Sequence, residues 1–64
     1  MNDAEALEEA KRRWGVEGYI RRRTGPVDHF LVGVRDGVLF WVKGEGATWE
    51  EAFALADRNA KKLA

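Results

Sequence analysis

The stretch His29-Phe30-Leu31-Val32-Gly33-Val34-Arg35-Asp36-Gly37-Val38-Leu39-Phe40-Trp41-Val42-Lys43 decides the fold. Two runs rich in β-branched and aromatic residues flank Asp36-Gly37, a pair whose tolerance of positive φ suits the two-residue type I′ turn of a β-hairpin. This reading gives strands over 29–35 and 38–43, with Arg35 opposite Val38, Val34 opposite Leu39, Gly33 opposite Phe40 and Val32 opposite Trp41. Paired residues share a face of the sheet. One face is then Phe30, Val32, Val34, Leu39 and Trp41, and the other Leu31, Gly33, Arg35, Val38, Phe40 and Val42. Both faces are unusually apolar.

Working outward, residues 16–24 alternate β-branched and aromatic residues with arginine, which suits a third strand with Ile20 inward and Tyr19, Arg21 and Arg23 outward. Gly25-Pro26 ends it. Ahead of this strand, Asn2 with Glu5 three residues later forms a capping box, and Ala6, Leu7, Ala10 and Trp14 recur at helical spacing until Gly15. Acidic residues lead this helix and Lys11-Arg12-Arg13 close it, as the macrodipole favours. On the other side, Gly44-Glu45-Gly46 reads as a turn, and Thr48 with Glu51 caps a second helix. Its apolar stripe is Trp49, Ala52, Phe53, Ala56, Ala60 and Leu63, and Glu50, Asp57, Arg58, Lys61 and Lys62 face water. The expected class is α+β, a single domain over 1–64 in α-β-β-β-α order. A three-stranded antiparallel sheet carries both helices on one face and leaves the other open.

Composition agrees with one small domain. At 64 residues, with 45% hydrophobic and 34% charged, the chain balances like a folded domain rather than a disordered one. A domain of this size hides only about 60% of the surface its unfolded chain exposes, so the aromatic residues must supply much of the core. Trp14, Trp41 and Trp49 are therefore expected inside. The chain has no cysteine and one histidine, which excludes disulfides and the usual zinc ligand sets, so neither a cofactor nor a metal is expected. Eleven Lys and Arg balance 11 Asp and Glu, so any affinity for nucleic acid must come from local clustering. No apolar run exceeds five residues, so no membrane span is expected and the location reads as cytoplasmic.

The order of elements, with the residues between them, resembles the double-stranded-RNA-binding domain over almost the whole chain. That family's Gly-Pro-x-His loop is similar to Gly25-Pro26-Val27-Asp28-His29 with one residue inserted. Its Phe-x-Val-x-Val strand is similar to Phe30, Val32 and Val34, its glycine-rich approach to the last helix to Gly44, Gly46 and Thr48, and its first-helix Leu-x-Glu to Leu7-Glu8-Glu9. The family's phosphate-contacting lysines would fall on Trp49, Glu50 and Phe53, none of them basic, which implies a departure from ordinary duplex binding. Weaker likenesses exist to HicA/HicB-like toxin–antitoxin proteins and to DNA readers built on a three-stranded sheet. The segment Gly46 to Ala52 resembles the antitoxin's helix start, and His29 sits near the toxin's histidine, although Pro26 and Val27 stand where that family has Ser-His. Tyr19, Arg21, Arg23 and Arg35 would form the DNA-reading sheet surface.

Three functions follow as expectations. The first is a non-catalytic binding module that acts by protein association, with itself as a homodimer or with a partner. Its interface would be an open sheet face bearing Leu31, Val38, Phe40 and Val42, with Tyr19. The second is weak RNA or DNA binding through Arg21, Arg22 and Arg23, joined by Arg35 and His29. The third is a HicA-like ribonuclease depending on His29, which would also need a proton donor and charge stabilisation held beside it. The sequence shows no such constellation, so the chain reads as no enzyme.

Overall fold

The computed structural model describes residues 1–63, with side chains through position 61. Helix α1 (Asp3–Trp14) is followed by a single 3-10 turn (Gly15–Glu17), strands β1 (Gly18–Arg23), β2 (His29–Asp36) and β3 (Leu39–Gly46), and helix α2 (Trp49–Leu63). The class is α+β, in the expected order. The Asn2 capping box forms in full and the Thr48 box in half. Asn2 Oδ1 accepts from the Glu5 amide at 2.8 Å while the Glu5 carboxylate accepts from the Asn2 amide at 2.9 Å. At α2 the Thr48 hydroxyl accepts from the Glu51 amide at 3.0 Å, and the Glu51 carboxylate reaches one residue further back, to the Ala47 amide at 2.8 Å. The first strand starts later than expected, because Gly15 (φ 78°) and the 3-10 turn convert helix to strand directly.

The sheet is antiparallel in the order β1-β2-β3. Its hairpin differs from the expected one in two ways. The loop is Gly37-Val38, with Asp36 facing Leu39, Arg35 facing Phe40, Val34 facing Trp41 and Gly33 facing Val42. Gly37 has φ 62° and among the described residues none but glycine takes a positive φ, so glycine alone carries the left-handed conformation at the first loop position, as in a type II′ turn. A type I′ turn would have forced Asp36 there too. The shift moves each partner by two residues and so preserves the faces, but Val38 leaves the strand and stands fully exposed in the turn. The second difference is a bulge between Val32 and Gly33, beyond which Val32 faces Gly44, Leu31 faces Glu45 and Phe30 faces Gly46. Lys43 is the extra residue. Gly44-Glu45-Gly46, expected as a turn, thus extends β3, with both glycines on the side of the helices.

Helix α1 lies over β1 and α2 over β3, on the face that carries Gly18, Ile20, Val32 and Gly44. The seats are bare backbone: a Cβ at Gly18 would stand 2.3 Å from the Ala10 carbonyl oxygen, and one at Gly44 would stand 2.0 Å from that of Ala52. Ala6, Ala10, Val32, Trp49, Ala52, Phe53 and Ala56 form the core, with Trp14, Ile20 and Phe30 packed against it. Trp14 stacks on Phe53 at 6.1 Å, and Phe30 meets Trp49 edge-on at 4.6 Å. The helices run side by side in the same direction. Trp49 Nε1 donates to Asp3 Oδ1 at 3.2 Å near their starts, and Arg13 joins Glu9 to Asp57 further along.

Trp41 does not enter the core. It lies on the face that carries the helices, yet α2 sits over the Gly44 and Gly46 half of β3, and the hairpin end extends past it with Trp41 56% and Leu39 54% exposed. Ala60 is exposed as well. The side chains of Lys62 and Leu63, expected polar and apolar respectively, lie outside those described.

Candidate binding surfaces

The face opposite the helices carries Tyr19, Arg21 and Arg23 from β1, His29, Leu31, Gly33 and Arg35 from β2, and Phe40, Val42 and Glu45 from β3. At its centre the Tyr19 and Phe40 rings meet edge-on at 6.0 Å. The Arg21 guanidinium lies over Phe40 at 5.6 Å and that of Arg35 over Tyr19 at 5.3 Å, each a cation–π contact. These four side chains, with Val38 and Leu39 at the rim, enclose a hollow of about 160 Å³. Among the described residues no carboxylate lies within ion-pair distance of Arg21, Arg23 or Arg35. His29 pairs with Glu45 at 3.5 Å on the same face, in the part of the sheet away from Arg35.

This arrangement redistributes the expected sites. The run Arg21-Arg22-Arg23 is divided by strand alternation. Arg22 points to the helix side, 3.3 Å from Asp28, 3.8 Å from Asp3 and over the Phe30 ring at 5.2 Å, so it is held between two carboxylates and apart from its neighbours. Of the expected apolar interface, Leu31 is only 6% exposed, Phe40 and Tyr19 are half-buried, Val38 is in the turn, and Val42 is 46% exposed. The open face is therefore more cationic and less apolar than the sequence suggests.

A groove of about 720 Å³ runs between the starts of the two helices and the β1–β2 loop, lined by Asp3, Arg22, Asp28, Phe30, Trp49 and Glu50 among others. The positions that would carry lysines under the RNA-binding resemblance lie at this end. Trp49 and Phe53 are buried, and Glu50 is exposed. The Glu50 carboxyl is held below its ordinary range by the hydrogen bond from the Met1 ammonium at 3.0 Å. The groove presents Asp3, Asp28 and Glu50 with Arg22 already engaged. The basic run at the end of α1 is likewise engaged: Arg12 and Arg13 both bind Glu9, at 2.5 Å and 2.6 Å, and Arg13 also binds Asp57. Hydrogen bonds from Arg12 and then Arg13 hold the Glu9 carboxyl below the ordinary glutamate range.

The surface that sequence reasoning did not join up is the free edge of β3, where Leu39 and Trp41, expected on the core side, are about half exposed beside the expected interface residues Val38 and Val42. Its signal is the uninterrupted apolar run Val38 to Val42, whose alternation assigns Val38, Phe40 and Val42 to the open face and Leu39 and Trp41 to the core side. Among the described residues no group of His, Cys, Asp and Glu could hold a metal ion, and no helix is long and apolar enough to cross a membrane. No protein-family model matches the chain, and no significant match is found among characterised proteins or solved structures.

Proposed function

We propose that this chain is a non-catalytic binding module that acts by protein association, with the β3 edge as its contact and a second copy as its simplest partner. The observation that carries the reading is the exposure of Leu39, Trp41 and Val42 on a strand with no neighbour on one side. An edge strand turns every second N–H and C=O outward, ready to pair with another strand. Proteins that avoid such pairing place lysines and bulges on their edges. Lys43 and its bulge do so for the lower half of β3, whereas 38–42 carries no charge. Antiparallel pairing of two β3 strands about a two-fold axis would continue the sheet from three strands to six and cover both tryptophan flanks. With 11 charges of each sign, two copies meet without net repulsion.

Solution mass across a concentration series tests this. The wild type is expected to run as a dimer in the micromolar range. Replacing a central tryptophan anchor costs ~2 kcal/mol or more and a two-fold dimer loses it twice, so Trp41→Ser should weaken the dimer by ~500-fold or more. The fold should survive, because Trp41 is 56% exposed. A wild type that stays monomeric at high micromolar concentration refutes the reading.

A further inference from the structure

We infer that the open sheet face is a second binding surface, whose ligand is a single-stranded polynucleotide held by Arg21, Arg23 and Arg35 around the Tyr19–Phe40 ring pair. Charge complementarity names the occupant. Among the described residues, three arginines with no carboxylate in ion-pair range share this face with Glu45, which is turned to His29, while Glu17 stands at its margin beside Tyr19 and Arg35. A polyanion is what such a face lacks. The rings narrow the choice further, because a single strand offers unstacked bases that lie on aromatic rings and guanidinium planes, while its phosphates meet the same arginines. The Arg21 and Arg35 guanidiniums rest 5.6 and 5.3 Å above the Phe40 and Tyr19 rings, so a base stacks on the outer face of a guanidinium, and the hollow of about 160 Å³ beside them takes its edge. A duplex keeps its bases stacked inside, where they offer the Tyr19 and Phe40 rings no free face to stack on. The arginines stand on β1 and β2, away from the β3 edge, so they stay exposed when that edge is paired, and only the Val38–Leu39 rim of the hollow is shared with it.

The salt dependence has a calculable size. Three phosphate contacts on a single strand give a slope of log affinity against log salt of about −2, so binding should fall about 20-fold between roughly 50 and 200 mM monovalent salt. The experiment is fluorescence anisotropy of a labelled thymidine oligonucleotide, with a duplex of equal length and poly-glutamate as competitors. The single strand should bind in preference to both. The double variant Arg21→Ala, Arg23→Ala should reduce the slope to about −0.7. Phe40→Leu should weaken binding about fivefold or more with the slope unchanged, because it removes a stacking ring and no charge. Arg35→Ala serves where circular dichroism shows the double variant unfolded, and its slope should fall to about −1.4. Trp41→Ser should bind like the wild type, which separates this surface from the association edge. Any of four results overturns the inference: no binding at low salt, preference for the duplex, equal displacement by poly-glutamate, or a slope unchanged in the folded arginine variants.

Discussion

Adding one methyl group at Gly44 should strongly destabilise this protein, whereas adding the same group at Gly25 should not. A Cβ at Gly44 would stand 2.0 Å from the Ala52 carbonyl oxygen, 2.7 Å from the Ala56 amide nitrogen and 3.0 Å from the Ala56 Cβ. Two of these neighbours are helix backbone, which no rotamer change can move, so α2 must retreat by about 1 Å. A radial gap of 0.5–1 Å forfeits about a quarter to a half of each dispersion contact. The retreat weakens the burial of Trp49, Phe53, Ala52 and Ala56 together. Two large side chains at about 3 kcal/mol and two methyls at about 0.8 kcal/mol make some 7–8 kcal/mol of burial, so the loss is about 2–4 kcal/mol. Against a total stability of roughly 3–10 kcal/mol for a chain this long, that is a large share. At roughly 4–8 °C per kcal/mol, the melting temperature followed by circular dichroism should drop by about 10–25 °C in Gly44→Ala. At Gly25 the nearest atom to an added Cβ is 3.9 Å away and φ is not positive, so Gly25→Ala should be neutral or stabilise by up to about 1 kcal/mol. Two variants that melt within a few degrees of each other would refute the backbone seat at Gly44.

Thr48→Ala removes the hydroxyl that caps the Glu51 amide and should cost about 1 kcal/mol, read as a melting temperature lower by about 4–8 °C. Because the Glu9 carboxyl titrates lower in the folded chain than in the unfolded one, its contribution is complete above about pH 4.3 and is lost as pH falls through the lower folded value. Urea midpoints measured at pH 6 and pH 3 should therefore differ less in Glu9→Gln than in the wild type. An equal difference would remove Glu9 from the account. Arg22→Leu keeps the cover over Phe30 but strips Asp3 and Asp28 of their cation. These exposed pairs are worth little, so thermal melts should shift by less than about 1 kcal/mol equivalent.

The helices were legible because their signals are local. Asn2 with Glu5 and Thr48 with Glu51 act within one turn of chain, and both caps form at the residues read, although Glu51 returns its hydrogen bond to Ala47 rather than to Thr48. The existence of the hairpin was equally plain, but its turn was placed one residue early, because Asp36-Gly37 satisfies a type I′ rule that the chain avoids by letting Gly37 alone take the positive φ. The bulge at Lys43 had no signature, since it exists to bring Gly44 and Gly46 beneath a helix that is distant in sequence until α2 folds back. That bulge explains the misreading of Gly44-Glu45-Gly46 as a turn. For the sites, alternation separated Arg21 and Arg23 from Ile20 correctly. The cover over Leu31 depends on the side chains around it, and the exposure of Trp41 on where α2 lies along β3. Periodicity records neither.

The two glycine seats also determine how far apart the helices can stand. Gly18 lies on β1 and Gly44 on β3, two strand spacings apart, which is about 9.6 Å across the sheet. Close-packed helices want axes about 8–10 Å apart. The sheet therefore works as a ruler whose pitch matches the helix diameter, and the lane between the seats, floored by Val32, is just wide enough for the alanines of both helices. Two strands would jam the helices together, and four would part them and demand bulkier residues to fill the gap. Three strands are the count at which alanine and bare backbone close a core in so short a chain.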